Sequence, residues 1–191
     1  MKHILTLIAA LAVTTVGLGQ HYKPVDEGSE IGFKIKNFGI SVDGSFKGLD
    51  GKIIFSEDTL SIAHFDVTID AKTINTGIDQ RDNHLRSEDY FEVTKYPSIR
   101  FVSDRITKST NKDYLFIFGK LTIKGITREL SFPFKVRPIE KNQLLFEGEF
   151  GLDRRDFKVG GRSITLSDKV TVHLKIIAKH DQQTLSTNNT P

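Results

Sequence analysis

Apolar and polar residues alternate with a period of two along most of this chain, the signature of half-buried β-strands. Between Glu30 and Lys36, Ile31, Phe33 and Ile35 take one face and Gly32, Lys34 and Lys36 the other. The pattern returns at Val42, Gly44, Phe46 and Gly48 and, after a turn read at Leu49-Asp50-Gly51, at Ile53 and Phe55. Phe65, Val67, Ile69 and Ala71 continue it, then Ile99, Phe101 and Ser103, then Tyr114, Phe116 and Phe118, then Leu121 and Ile123. Lys124 to Thr127 reads as a turn. Leu130, Phe132, Phe134 and Val136 follow, with Pro133 marking an edge, a bulge or a distorted pairing, because proline has no amide hydrogen for a ladder. Leu144, Phe146, Gly148 and Phe150, then Val170, Val172, Leu174 and Ile176, close the series. About eight to ten strands with short turn-rich connections predict an all-β antiparallel barrel of eight strands, whose closure removes exposed edges.

One stretch breaks the alternation. Thr73 to Phe101 carries Thr76 and Asp79 in capping-box spacing, which predicts a short helix starting there. Ile78 and Leu85 then share a face, Asp82 and Arg86 make an acid-base pair one turn apart, and Ser87 caps a second turn bearing Tyr90 and Phe91. Tyr96-Pro97 forces extended chain into a strand from Ser98.

The interior of such a barrel either fills with side chains or holds one small ligand. There are 14 Phe, 4 Tyr and no Trp, and most of the rings fall in the apolar phase of a strand, which favours filling. Gly44, Gly48 and Gly148 share that phase, and small residues facing large rings leave room for a tunnel. Both outcomes stand on composition alone.

The ends differ from the middle. Residues 1–19 read as a signal peptide: Lys2 and His3 precede an uncharged run to Leu18, shorter than the roughly 20 residues of a membrane span, with small residues before Gln20. No cysteine is present for lipidation or disulfides, so the protein is expected to be periplasmic or secreted and to rely on its core for stability. Residues 20–178 form the barrel domain and 179–191 a polar, disordered tail. A net charge of +3, spread without runs, gives no support to nucleic-acid binding.

Residues with chemistry are sparse. The six histidines lack the HxH or HExxH spacing of a metal centre, so no metal and no cofactor is expected. His84, near Asp82 and Glu88, reads as an anchor for the helical stretch or as a donor to a ligand's polar head. Arg81-Asp82 and Arg154-Arg155-Asp156 read as ion pairs or as head-group contacts, since a guanidinium fork suits phosphate and carboxylate. Ser163 and Ser167 lie in no nucleophile setting, and no Ser, His and Asp series stands out, so an enzyme is not expected.

The segments GISVDGSFKGLDG (39–51), TINTGIDQRDNHLRSEDY (73–90), Tyr96-Pro97 to Phe101, GKLTIKGIT (119–127) and LDRRDF (152–157), taken in order, resemble the YceI-like family of secreted polyisoprenoid-binding proteins from about Tyr22 to Ala178. The resemblance implies an extended eight-stranded, lipocalin-like barrel that holds a long isoprenoid or other amphiphilic chain without catalysis. It places Thr76, Gly77, Arg81, Asp82, His84, Leu85 and Ser87 beside the barrel mouth and matches Arg154, Asp156 and Phe157 to a late strand motif. Tyr90 departs from the family's usual Phe, and its hydroxyl is expected at the rim or on a polar partner. Alternation then assigns Phe33, Phe46, Phe55, Phe101, Phe116, Phe118, Phe132 and Phe146 to the lining, with Arg81, Asp82, His84, Arg154 and Asp156 near the head group. The expected partner is an isoprenoid or fatty-chain amphiphile, with no stable membrane insertion and a homodimer possible in solution. The alternative is an envelope interaction module with a side-chain-filled barrel.

Overall fold

The computed structural model describes residues 19–181. Eight strands close into one antiparallel barrel in which each pairs with its sequence neighbours and the last returns to the first. They are β1 (Gln20–Asn37), β2 (Ile40–Phe55), β3 (His64–Asn75), β4 (Ser98–Lys108), β5 (Leu115–Ile123), β6 (Ile126–Glu140), β7 (Gln143–Asp153) and β8 (Leu166–His180). Residues 1–18 of the expected signal peptide and 182–191 of the expected tail lie outside the described residues. Lys179 and His180, read as tail, instead extend β8, where Lys179 pairs with both Lys23 and Gln143.

Two hairpins turn through two residues with positive φ, Phe38-Gly39 and Lys124-Gly125, the geometry that matches the right-handed twist of the flanking strands. The turn read at Leu49-Asp50-Gly51 is instead a bulged stretch of one continuous strand. The β1–β2 ladder skips from Tyr22↔Ile53 to Ile31↔Phe46, and the Asp26 carboxylate fills the gap by accepting from the Gly48 and Leu49 amides, both at 2.9 Å. The bulge moves Leu49 inward and leaves Gly48 exposed, reversing the inward phase expected for Gly48.

A second correction falls on β5. Leu115, Ile117, Gly119, Leu121 and Ile123 are its buried residues, while Phe116 and Phe118 point outward. The strand reads LFIFGKLTI, apolar on both faces, so alternation does not choose between them. On the outer wall the two rings pack together with centroids 5.1 Å apart, and the Arg105 guanidinium covers Phe118 at 4.0 Å. Pro133, paired with Phe116, sits where β6 has β5 on one side only, because the β6–β7 ladder begins at Phe134↔Gly148. Its missing N–H therefore falls on a local edge.

Helix α1 (Asp79–Arg86) crosses between β3 and β4, but Thr76 does not cap it. The N-cap residue is Ile78, with no side-chain cap. Thr76 instead binds Asp82 through its amide at 2.9 Å and through its hydroxyl. Arg86 donates to the Lys72 and Ile74 carbonyls of β3, at 2.7 and 2.8 Å, rather than to Asp82. The helix is thus fastened to β3 by side chains, which a short helix of low intrinsic stability needs. Ser87 closes it by accepting through its carbonyl from Tyr90 and Glu92, and its hydroxyl donates to His84 O at 2.7 Å.

The core divides along the barrel axis. One cluster joins Tyr22, Ile53, Phe55, Ala63, Phe65, Ile106, Leu115, Ile117, Phe134, Phe146 and Ala178 at the end away from α1, together with Phe132, which also borders the open half of the lumen. The other joins Ile31, Phe46, Leu49, Ile74, Val93, Ile99, Leu121, Ile123, Phe157 and Val159 at the mouth.

Candidate functional site

The mouth half of the lumen is not filled. A half-enclosed cavity of about 400 Å³ runs down from α1, within the range of small-molecule sites. Its walls are hydrocarbon from every strand: Ile31, Phe33 and Ile35 of β1, Val42 and Phe46 of β2, Val67 and Ile69 of β3, Ile99 and Phe101 of β4, Leu121 and Ile123 of β5, Leu130 and Phe132 of β6, Phe150 and Leu152 of β7, and Val170, Val172, Leu174 and Ile176 of β8. The lining on β1 spans Ile31 to Asn37 and on β8 Val170 to Ile176, each about 20 Å of strand at roughly 3.3 Å per residue.

Rings close the floor. Phe146 meets Phe55 and Phe65 edge to face at 5.5 and 5.3 Å, and Phe65 meets Phe134 at 6.0 Å. Below them, burial raises the Tyr22 phenol above its ordinary pKa. At the top, Leu85 of α1 and Tyr90 and Phe91 of the following turns complete the wall. Phe91 packs on Phe46 at 5.6 Å, and Gly160 N donates to Asp89 O at 2.9 Å, so this segment spans from β3 to the far rim.

Of the residues chosen from sequence, Phe33, Phe46, Phe101, Phe132, Phe146, Arg81, His84 and Arg154 border the cavity. Five do not. Phe55 lies beneath the floor, buried against Phe65 and Phe146, one layer too deep to reach the space. Phe116 and Phe118 face outward through the inverted phase of β5. Asp82 is buried beneath α1 on Thr76. Asp156 is exposed on the outer side, in a shallow cleft with Arg128, Glu129 and Lys169 where β6 and β7 part. Phe65, Phe134 and Phe150 also border the cavity and were in inward phase, whereas Phe91 and Phe157 lie outside the strands and carried no period-2 signal.

The polar groups at the rim are few. Arg154, only 4% exposed, opens the short 3₁₀ turn Arg154–Phe157 and folds its guanidinium back onto the chain. It donates to Ser167 O at 3.0 Å, Val159 O at 2.8 Å and Gly161 O at 3.0 Å, and pairs with Asp168 at 2.7 Å. Its donors are used to hold the 158–166 loop, which is the structural role of the two weighed. Arg81 likewise donates to the Thr76 hydroxyl and carbonyl, both at 2.7 Å. His84 stands exposed with its ring against Tyr90 at 5.0 Å, and Tyr90 in turn packs beside Gly160. Asn37 offers a side-chain oxygen that is buried without a hydrogen-bond partner and borders the cavity. Two glycines serve the lining rings. A Cβ on Gly44 would meet the Phe33 ring at 2.2 Å, and one on Gly148 would meet Phe132 at 3.1 Å, so each lets a ring lie flat against the wall.

Comparison with known proteins agrees with this architecture. A UPF0312 protein of Pectobacterium carotovorum subsp. carotovorum is 33% identical over 163 residues, covering 81% of this chain and 84% of its own. The crystal structure of Burkholderia cenocepacia BcnA superposes with a TM-score of 0.75 at 23% identity, covering 80% of this chain and 98% of its own. A polyisoprenoid binding domain from Saccharophagus degradans, implicated in plant cell wall breakdown, superposes with a TM-score of 0.68 at 15% identity, covering 86% and 99%. The model of the YceI-like domain matches residues 22–178, all but the outermost residues of the barrel, and the chain belongs to the YceI-like family.

Proposed function

We propose that this protein binds a long apolar chain, an isoprenoid or similar amphiphilic lipid, in the mouth half of its barrel and carries or stores it without chemical change. The observation that carries this reading is the contrast between a hydrocarbon-walled cavity of about 400 Å³, bordered by about 20 Å of strand on β1 and on β8, and a rim whose polar groups mostly bind one another. Each methylene moved from water into such walls contributes roughly 0.8 kcal/mol, so about ten carbons outweigh the cost of ordering a flexible chain. Affinity then comes from the walls. The polar end of the ligand lies at the rim beside Asn37 and His84, which have hydrogen-bonding capacity that Arg154 has already spent on the loop. The related domain named for polyisoprenoid binding shares this fold, and the leader-like run at 1–19 suits a periplasmic or secreted carrier.

Solvent extraction of the purified protein followed by mass spectrometry, with uptake of an added polyprenol, tests the reading. The expected result is a lipid at near-stoichiometric amount, or uptake that Phe101→Asp abolishes and the outward Phe118→Asp leaves intact, both variants being checked for a cooperative thermal transition. Protein that extracts clean and also refuses the polyprenol sinks the proposal.

A further inference from the structure

At one edge of the mouth the surface carries a cost that the fold does not return. The β1–β2 hairpin turns on Phe38-Gly39, with φ of 50° and 76°, a turn for which Asn-Gly is the favoured pair because positive φ crowds a bulky side chain. Here the first position is phenylalanine, and its side chain is 75% exposed. It packs into nothing that would explain the choice. Ile40, the next residue of the hairpin, is 70% exposed, and Ile164 of the 158–166 loop is fully exposed at 103%. Strained backbone under an exposed aromatic is the pattern expected where function rather than folding selects the residue.

These side chains belong to one surface. Phe38 N donates to Thr165 O at 2.9 Å, and Asn37 pairs with Leu166, so the hairpin tip and the loop are stitched side by side. Arg154 braces that loop from beneath through Val159 O and Gly161 O. The charge beside the tip is positive: exposed Lys36 and Arg162 flank it, and the nearest acid of the hairpin, Asp43, is paired with Lys34 at 3.4 Å. Apolar points ringed by cations fit the surface of an anionic bilayer, where rings and branched chains enter the acyl boundary and Lys and Arg stay with the phosphates.

We infer that the Phe38–Ile40 hairpin and the Ile164 loop form a docking edge for anionic lipid bilayers, seating the cavity mouth at the membrane from which its ligand is taken or to which it is returned. The docking itself stands on the exposed surface alone; only its purpose rests on the carrier reading. The test is sedimentation with phosphatidylcholine vesicles containing about a third phosphatidylglycerol, using ligand-free protein lacking residues 1–18 so that their apolar run does not partition by itself. Binding to these vesicles, and much weaker binding to pure phosphatidylcholine, is expected. Phe38→Asn with Ile164→Ser should weaken it about tenfold or more without lowering thermal stability, because asparagine suits the turn better than phenylalanine. Lys36→Gln and Arg162→Gln should each cost roughly fivefold and flatten the salt dependence. Absence of vesicle binding, or binding that these variants leave unchanged, overturns the inference. So does a dimer in vesicle-free buffer that the Phe38→Asn, Ile164→Ser variant dissolves, since the patch would then be a self-association face. Polyprenol uptake from detergent micelles by that double variant, measured separately, shows whether the cavity reading stands or falls on its own.

Discussion

The floor and the mouth half of this barrel are built from the same eight strands and the same alternation, yet one is solid and the other hollow. Both contain rings. On the floor, beside two contacts between neighbouring strands (Phe55 with Phe65, Phe134 with Phe146), three cross the barrel, from β2 to β7 (Phe55 with Phe146), from β3 to β7 (Phe65 with Phe146) and from β3 to β6 (Phe65 with Phe134). In the mouth half they run along the wall between neighbouring or next-but-one strands, as in Phe33 with Phe46 at 5.6 Å, Phe132 with Phe150 at 4.7 Å and Phe101 with Phe132 at 6.0 Å. A ring reaching across the axis excludes a ligand, whereas a ring lying on its neighbour lines a space for one. Gly44 and Gly148 make the second arrangement available by leaving room for Phe33 and Phe132. The number of phenylalanines therefore says little about whether such a barrel is empty; the strands on which partners sit decide it.

The sharpest way to break this comparison is Phe146→Ala, which removes the ring common to two of the cross-barrel contacts. It should cost about 3–5 kcal/mol in a denaturant titration, the usual range for a buried ring in a packed site. It should also deepen the cavity, so that the length preference among added polyprenols moves upward. A cost below about 1 kcal/mol would mean that the floor is not packed as described. Leu174→Trp asks the opposite question in the hollow half. The larger ring enters open space, so stability should change by only about 1–2 kcal/mol, while polyprenol uptake falls at least about tenfold. Retained uptake would show that the chain does not occupy this part of the lumen.

The smallest effect belongs to the outer wall, which both halves share. Arg100 donates two hydrogen bonds to Asp66, at 2.8 and 2.6 Å, and these, helped by the charges of Arg100 and His64, hold the Asp66 carboxyl below its ordinary pKa against an opposing burial effect. A carboxyl lowered in the folded state contributes stability above the unfolded value of about 4 and loses it as pH falls through the lowered one. Asp66→Asn should thus be slightly less stable than wild type near neutral pH, with the difference shrinking as pH falls below the unfolded value and through the lowered one. Both residues are partly exposed, so salt should shrink the difference further. A stability gap that grew on acidification would carry the wrong sign for this pairing.

Much of the fold was legible because a half-buried strand must show one apolar face, and part of nearly every strand shows it, although β1 was read only from Glu30 and β2 as two pieces. The exception, β5, places Leu115 and Ile117 on one face and Phe116 and Phe118 on the other, so hydrophobicity alone does not orient it. The pairing of Leu121 with Phe101 and of Ile117 with Phe132 does. The bulge at Gly48 was hidden for a different reason: its amides donate to the Asp26 carboxylate, 22 residues away in sequence. Thr76 carried a sound helix-capping signal, but Asp82 and Arg81 claim its hydroxyl once β3 and α1 are side by side. Arg154 illustrates the same limit at the rim, where its acceptors are carbonyls that no sequence pattern marks.

What the sequence determined by itself was the barrel, its family resemblance and the position of the one helical crossing, all of which follow from local periodicity and local backbone preference. Only the tertiary structure decided which rings meet across the axis, where the lumen opens, which rim groups are already bonded and that Phe38, Ile40 and Ile164 share one edge. Those are relations between residues distant in the chain, and they exist only after strand register has brought them together.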